Sequence, residues 1–322
     1  MPSSAPPPPR LGLDVYSLRF TNWDAFAVLD FCAAHGVQVV HFSEPRLLGG
    51  LERAHLQRVR DRADALSLDI EMGMLSIAAT SGIFDASAGT AEDQLARLIE
   101  AAVLMRSPLI RCVVGNSFDR RGPGGIERHI DAALQVLSNV RSRVVDAGLK
   151  LAIENHSGDM QSRELKVLIN EAGTDYTGAC IDSGNAAWAL EDPHAVLETL
   201  APYVLTSHMR DSALWISPEG VVVEWTRMGE GTVEIDRYVR AYAEQCPGRA
   251  ISIEVITNRQ RAFNFRDPEF WEAYPGMPAA DFARFLTLAE RGEPRPPVDP
   301  TLPTSVNDVE ASLRWMQSHL HP

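Results

Sequence analysis

Between Leu11 and Ile256 eight short apolar runs alternate with longer amphipathic stretches. The runs are LGLDVYSLRF, VQVVHFSE, DIEMGMLSI, PLIRCVVG, LKLAIEN, GACIDSGN, VLTSHMRD and AISIEVI. Between them, helical spacing covers WDAFAVLDFCAAHG, Leu51–Leu66, Thr90–Met105, Gly125–Ala147, Ser162–Ala172, a segment opened by Pro193, and Val233–Glu244. Glycine ends several of these stretches, as at Gly36, and proline at a first helical position opens one. A strand that is followed by a helix pairs in parallel with the next strand, through a right-handed crossover. Eight such units close a (β/α)8 TIM barrel. An open doubly wound sheet is the alternative, but it calls for a glycine-rich phosphate loop after an early strand, and SLRFTNWD is no such loop.

The pattern divides the chain into three parts. Residues 1–10, MPSSAPPPPR, read as a disordered proline-rich tail, residues 11–256 as the barrel, and residues 257–322 as a C-terminal extension. The extension carries Phe263, Phe265, Phe270, Trp271 and Tyr274, a proline-rich linker at Glu293–Pro303 and a helix over Ser305–Leu320. It reads as a cover over the barrel or as a contact to another subunit. A sharper reading sends Arg259, Arg261 or Arg266 over the barrel mouth toward a substrate.

Charge and cysteine use bound the function. A net charge of −13 disfavours non-specific binding to nucleic acid or to an anionic membrane. No apolar run is long enough to cross a bilayer, and the N-terminus lacks the apolar segment of a secretory signal. The four cysteines are scattered without C-x-x-C spacing and read as buried thiols in a reducing, cytoplasmic setting.

In a barrel of this kind, strand C-terminal ends surround the active site. The fifth strand ends in Glu154-Asn155-His156, the sixth in Asp182-Ser183-Gly184-Asn185, the seventh in His208-Met209-Arg210-Asp211, and the eighth carries Glu254. Any one of these has an ordinary explanation, since a strand-end glutamate is usually paired or exposed and D-S-G-N is a common turn. Four in succession, each interrupting an apolar run, point to a shared purpose. Three carboxylates and an imidazole form an oxygen-rich set suited to Mn²⁺, with Mg²⁺, Co²⁺ or Zn²⁺ as alternatives. Without a cation the carboxylates would raise one another's pKa.

The segments AIENH, CIDSGN, SHMRD, MGEGTVEID and ISIEV resemble the xylose-isomerase-like TIM barrel superfamily, across roughly Leu11–Ile256. The resemblance implies metal ligation by Glu154, Asp182, His208 and Glu254. It implies a small-molecule carbohydrate substrate and an isomerase or epimerase. There, Glu154 and Glu254 remove and return a proton alpha to a carbonyl through an enediolate. Epimerases of the superfamily place a histidine where this chain has Asn185, which cannot shuttle a proton. His156 either takes over that acid–base work or braces a carboxylate. Asn185, Arg210 and Asn155 are the candidate substrate contacts, although Arg210 can equally pair with Asp211 or Glu254. The second function is a lyase on a keto sugar or 3-oxo-glycoside, eliminating water or an aglycone with the same metal. A DNA-repair nuclease of the endonuclease IV type is disfavoured, because the early strands offer His41 and little else. A sugar-binding barrel without turnover is the non-enzymatic alternative. The substrate is expected to be unphosphorylated, and the extension to support a homo-oligomer or complex.

Overall fold

The computed structural model describes residues 9–320. The tail expected over residues 1–10 therefore lies outside the described residues as far as residue 8. Arg10 already belongs to the first strand.

Strands β1 (Arg10–Asp14), β2 (Val39–Phe42), β3 (Asp69–Ser76), β4 (Leu109–Val113), β5 (Lys150–Glu154), β6 (Thr177–Asp182) and β7 (Val204–His208) alternate with helices. A hairpin follows, β8 (Asp211–Ile216) and β9 (Val221–Thr226), and then β10 (Ala250–Ile253) and β11 (Arg259–Phe263). The parallel sheet runs in the order β10-β1-β2-β3-β4-β5-β6-β7. A parallel bridge between Met209 and Ile253 brings β7 back to β10. This is the barrel that the eight-fold alternation predicts.

Alternation along each strand sends one set of residues outward to the helices and the other into the barrel. Inward from β5, Ala152 and Glu154 follow one another, and from β6, Cys180 and Asp182. Leu109, Ala152 and Cys180 form a small apolar cluster apart from the main core. Beside and above it the interior is polar and buried: Glu71 and Thr206 at its level, then Asp14, His41, Arg111, Glu154, Asp182 and His208. So many buried polar groups are stable only when paired.

The seam between β1 and β10 is close. A Cβ on Gly12 would lie 2.1 Å from Ser252 Oγ and 3.0 Å from its Cα. Gly12→Val is therefore expected to lower stability by about 1–3 kcal/mol, the cost of overpacking. Thermal denaturation followed by circular dichroism checks this.

Three elements differ from expectation. The first strand, expected over Leu11–Phe20, ends at Asp14, whose carboxylate accepts from Tyr16 N at 3.1 Å and turns the chain into a 3₁₀ segment, Val15–Leu18. Between the seventh strand and the helix expected over Val233–Glu244 the chain forms the additional β8–β9 hairpin, and β11 adds to it antiparallel, giving the order β11-β9-β8. A short helix, Ser183–Trp188, follows β6 directly, with Asp182 Oδ1 accepting from Asn185 N at 2.8 Å. The last helix, Val306–Leu320, opens with Asp308 N donating to Ser305 Oγ at 3.2 Å. All four cysteines are buried free thiols. Among the described residues no helix is long and apolar enough to cross a membrane.

Candidate metal centre

The four strand-end residues singled out by the sequence converge. One ligand atom from each of Glu154, Asp182, His208 and Glu254 lies within 4.8 Å of the others, and all four residues are buried. His208 Nδ1 is 3.1 Å from Glu154 Oε2 and 3.4 Å from Glu254 Oε2. Asp14, from β1, stands 3.7 Å from the same nitrogen.

The residues present fit a divalent ion. His208 Nδ1 and Asp182 Oδ2 are buried without a hydrogen-bond partner, although both face a crowd of charged groups. Each has only a charge contact at 3.1 Å, to Glu154 and to Arg210 respectively, and buried polar atoms without a well-formed hydrogen bond are rare. The electrostatics agree. Burial works to lower the imidazolium pKa of His208, yet Asp14 and Glu154 lift it to about 10. The surrounding carboxylates favour positive charge at that nitrogen, which a bound cation would supply in place of the proton. Burial raises Asp182 to about 7 against the pull of Arg210.

Two arginines balance the remaining carboxylates. Arg111, inward from β4, donates through Nε to Glu154 Oε2 and through Nη1 to Met74 O at 3.2 Å. Burial alone would raise the Glu154 carboxyl, but Arg111 and His208 hold it well below the ordinary range. Asn185 Nδ2 occupies the other oxygen, Oε1, at 3.0 Å. Arg210 Nη2 donates to Glu254 and lies 3.1 Å from Asp182 Oδ2. Burial opposes it, yet Arg210 and His208 bring Glu254 down to about 2. Of the two partners expected for Arg210, the structure selects Glu254. Asp211 instead accepts from Gly229 N and Gly231 N, each at 2.9 Å.

Above the cluster opens a cavity of about 430 Å³, lined in part by Asp14, Arg111, His156, Asn185, Arg210 and Glu254. Glu154, Asp182 and His208 lie beneath it. Asn155 is not in its wall: its side chain donates to Asp182 O and accepts from Asp182 N, both at 2.8 Å, and so clamps the β5 and β6 ends together. His156 does face the cavity. Its Nδ1 is 2.7 Å from Gly115 O. A carbonyl only accepts, so Nδ1 carries the hydrogen and Nε2 keeps its lone pair. Burial lowers the pKa of the ring despite the nearby Glu154, which keeps it neutral.

His208 Nε2 is 2.9 Å from His41 Nδ1. With Nδ1 left for a cation, Nε2–H donates to His41, the outer partner that sets a ligating imidazole's tautomer and angle. His41→Ala is expected to weaken metal affinity about 10–100-fold, read by calorimetric titration.

Sequence reasoning missed Asp14, Arg111 and Trp225. Asp14 and Arg111 each interrupt an apolar run and carried the same signal as the strand-end acids. Arg259 and Arg266 do not reach the cavity, since they donate to the carbonyls of Pro300 (2.6 Å) and Pro218 (2.9 Å).

A family model described as a xylose isomerase-like TIM barrel matches residues 29–272. A 3-oxo-isoapionate decarboxylase of Pectobacterium atrosepticum is 24% identical over 215 residues, covering 65% of this chain and 70% of the relative. Among solved structures, D-psicose 3-epimerase of Clostridium cellulolyticum aligns with a TM-score of 0.62 at 11% identity, covering 97% of this chain and all of that one (100%). A zinc-bound IOLI protein aligns with a TM-score of 0.56 at 14% identity, covering 87% and 95% of the two chains.

Proposed function

The chain belongs to the xylose isomerase-like TIM barrel family, and from that membership we propose a divalent-metal-dependent enzyme that converts a keto sugar through an enediolate. Glu154, Asp182, His208 and Glu254 would hold the ion, Mn²⁺ first on the hardness of the donor set. When bound, the ion supplies charge that stabilises the oxyanion developing on the substrate. Everything else falls to the protein's own groups. His156 Nε2, aimed into the cavity, takes or delivers a proton as general acid–base. Arg210, beside Glu254, is placed to donate to a substrate oxygen. Asn185 can orient a hydroxyl.

Within this chemistry the geometry favours a lyase. The observation that carries this is the one-sided exposure of the proton-transfer groups. Glu254 and His156 face the cavity, whereas Glu154 is sealed beneath it, with one oxygen on Arg111 and the other on Asn185. A carboxylate pinned by a guanidinium is a weak base. An epimerase needs an active base on each face of the substrate, whereas decarboxylation or elimination from a keto sugar needs proton transfer on only one. The Pectobacterium relative is named a decarboxylase, and loss of CO₂ from a 3-oxo acid leaves an enolate, or an enediolate where the acid carries a 2-hydroxyl, that is protonated once. The epimerase reading keeps one support: both glutamates stand in the ligand set, and Glu154 becomes competent if Arg111 releases it. An unphosphorylated substrate is favoured because Asp211 already occupies the backbone donors of Gly229 and Gly231.

The test is turnover of ketoses, 3-oxo sugar acids and 3-oxo-glycosides by Mn²⁺-loaded protein in D₂O, followed by NMR. The lyase reading expects bond cleavage without inversion: one deuterium on the carbon that loses CO₂, or loss of the α-hydrogen with release of water or aglycone. Inversion with exchange and no bond cleavage would establish the epimerase. No turnover and no exchange across the panel would remove the enediolate chemistry altogether.

A further inference from the structure

Four side chains from four separate elements form a continuous stack beside the cavity. Arg210, just after β7, places Cζ 4.2 Å from the ring of Trp225 on β9. The other face of Trp225 lies against Trp188, with centroids 3.8 Å apart and ring planes within 12°. Beyond Trp188 comes Arg261 of β11, its Cζ 5.2 Å from that ring and 5.0 Å from Phe263. Each indole thus meets a cation on one face and its twin on the other. Guanidinium groups favour such faces because the ring quadrupole attracts the charge and the planes match.

The stack is built, not incidental. Trp225 Nε1 donates to Gly184 O at 3.1 Å, which orients the ring. Gly184 makes the approach possible: a Cβ there would lie 2.7 Å from Arg210 Cβ and 3.1 Å from Trp225 Nε1. The pairing of β11 with β9 sets Arg261 opposite Val223, two residues before Trp225 on the same face. Trp188 ends the short helix that carries Asn185 and is capped by Asp182. Among the described residues Arg261 forms no ion pair. Arg210 is anchored to Glu254 and Asp182 through Nη2 alone; its Nε and Nη1 are buried without a hydrogen-bond partner, so the ring of Trp225 is what supports the rest of the guanidinium plane.

We propose that Arg261 is a positioning residue: by closing the stack through Trp188 and Trp225 it holds Arg210 against Glu254 and Asp182 at the edge of the cavity. The C-terminal extension is thereby tied to the site without touching it. The proposal goes beyond the reading of the reaction and stands whichever bond the enzyme breaks.

Two signals read the stack in the full-length protein. Stacked indoles give an exciton couplet in circular dichroism, assigned by its loss in Trp188→Phe. The Nε–H of Arg210, assigned by its loss in Arg210→Lys, is shifted upfield in NMR spectra by the ring current of Trp225. Arg261→Met keeps the length and removes the cation, whereas Arg261→Lys keeps the cation. The expected result is loss of the couplet and of the upfield shift in Arg261→Met, with both retained in Arg261→Lys. Arg261→Gln replaces the methionine variant should that one misfold. Retention of both signals in Arg261→Met, or their equal loss in Arg261→Lys, overturns the proposal.

Discussion

Asp182→Asn is expected to leave the barrel folded and to lower affinity for a divalent ion by at least a hundredfold. The amide keeps the oxygen that caps the Ser183–Trp188 helix, where Oδ1 accepts from Asn185 N. It removes Oδ2, a carboxylate oxygen that is buried without a hydrogen bond. Arg210 keeps its other partner, Glu254, so no charge is left stranded. If binding of a tetradentate site is worth about 10–16 kcal/mol, one ligand carries about 3 kcal/mol, on the order of 10²-fold in affinity. Calorimetric titration with Mn²⁺ supplies the affinity, and the melting curve of the metal-free protein supplies the control. Unchanged affinity in a folded variant would remove Asp182 from the ligand set.

Metal uptake is expected to release protons, and affinity to rise with pH. His208 must be neutral to ligate, yet its surroundings lift its pKa to about 10. At pH 7 to 9 the metal-free ring carries a proton that the ion must displace. Affinity then climbs about tenfold per pH unit in that window, with one proton released per ion. Below pH 7 Asp182, raised to about 7, adds a second proton to displace, and the slope steepens. Affinity is thus weakest in acid and strongest in mild alkali. Titrations in buffers of differing ionisation enthalpy count the protons. A flat profile from pH 7 to 9 would mean that His208 Nδ1 is not a ligand.

The barrel and the heart of this site were legible because both are local patterns. Period-2 runs alternating with period-3.6 stretches specify the fold. Glu154, Asp182, His208 and Glu254 stand out because each ends an apolar run with a group that is costly to bury. Asp14 and Arg111 gave the same signal more faintly. LIRCVV reads as a plain buried strand until β4 is seen to turn its arginine inward onto Glu154. The β8–β9 hairpin was not legible, although SALWI and VVVEW each suit a strand, because helix-then-strand order dominates the surroundings. The Arg210–Trp225–Trp188–Arg261 stack was beyond reach. It depends on the register of β11 against β9, more than thirty residues apart in the chain, and no short-range pattern encodes that pairing. Asn155 shows the same dependence on three-dimensional placement. Its place in Glu154-Asn155-His156 suggested a substrate contact, but strand alternation turns its side chain onto the backbone of Asp182.

Crystals of the protein grown with Mn²⁺, with anomalous scattering measured near the manganese edge, test the central claim most directly. A single strong peak is expected about 2 Å from oxygens of Glu154, Asp182 and Glu254 and from Nδ1 of His208. A peak elsewhere, or a site in which Arg210 and Arg111 hold the carboxylates and no peak lies among them at saturating manganese, would contradict it.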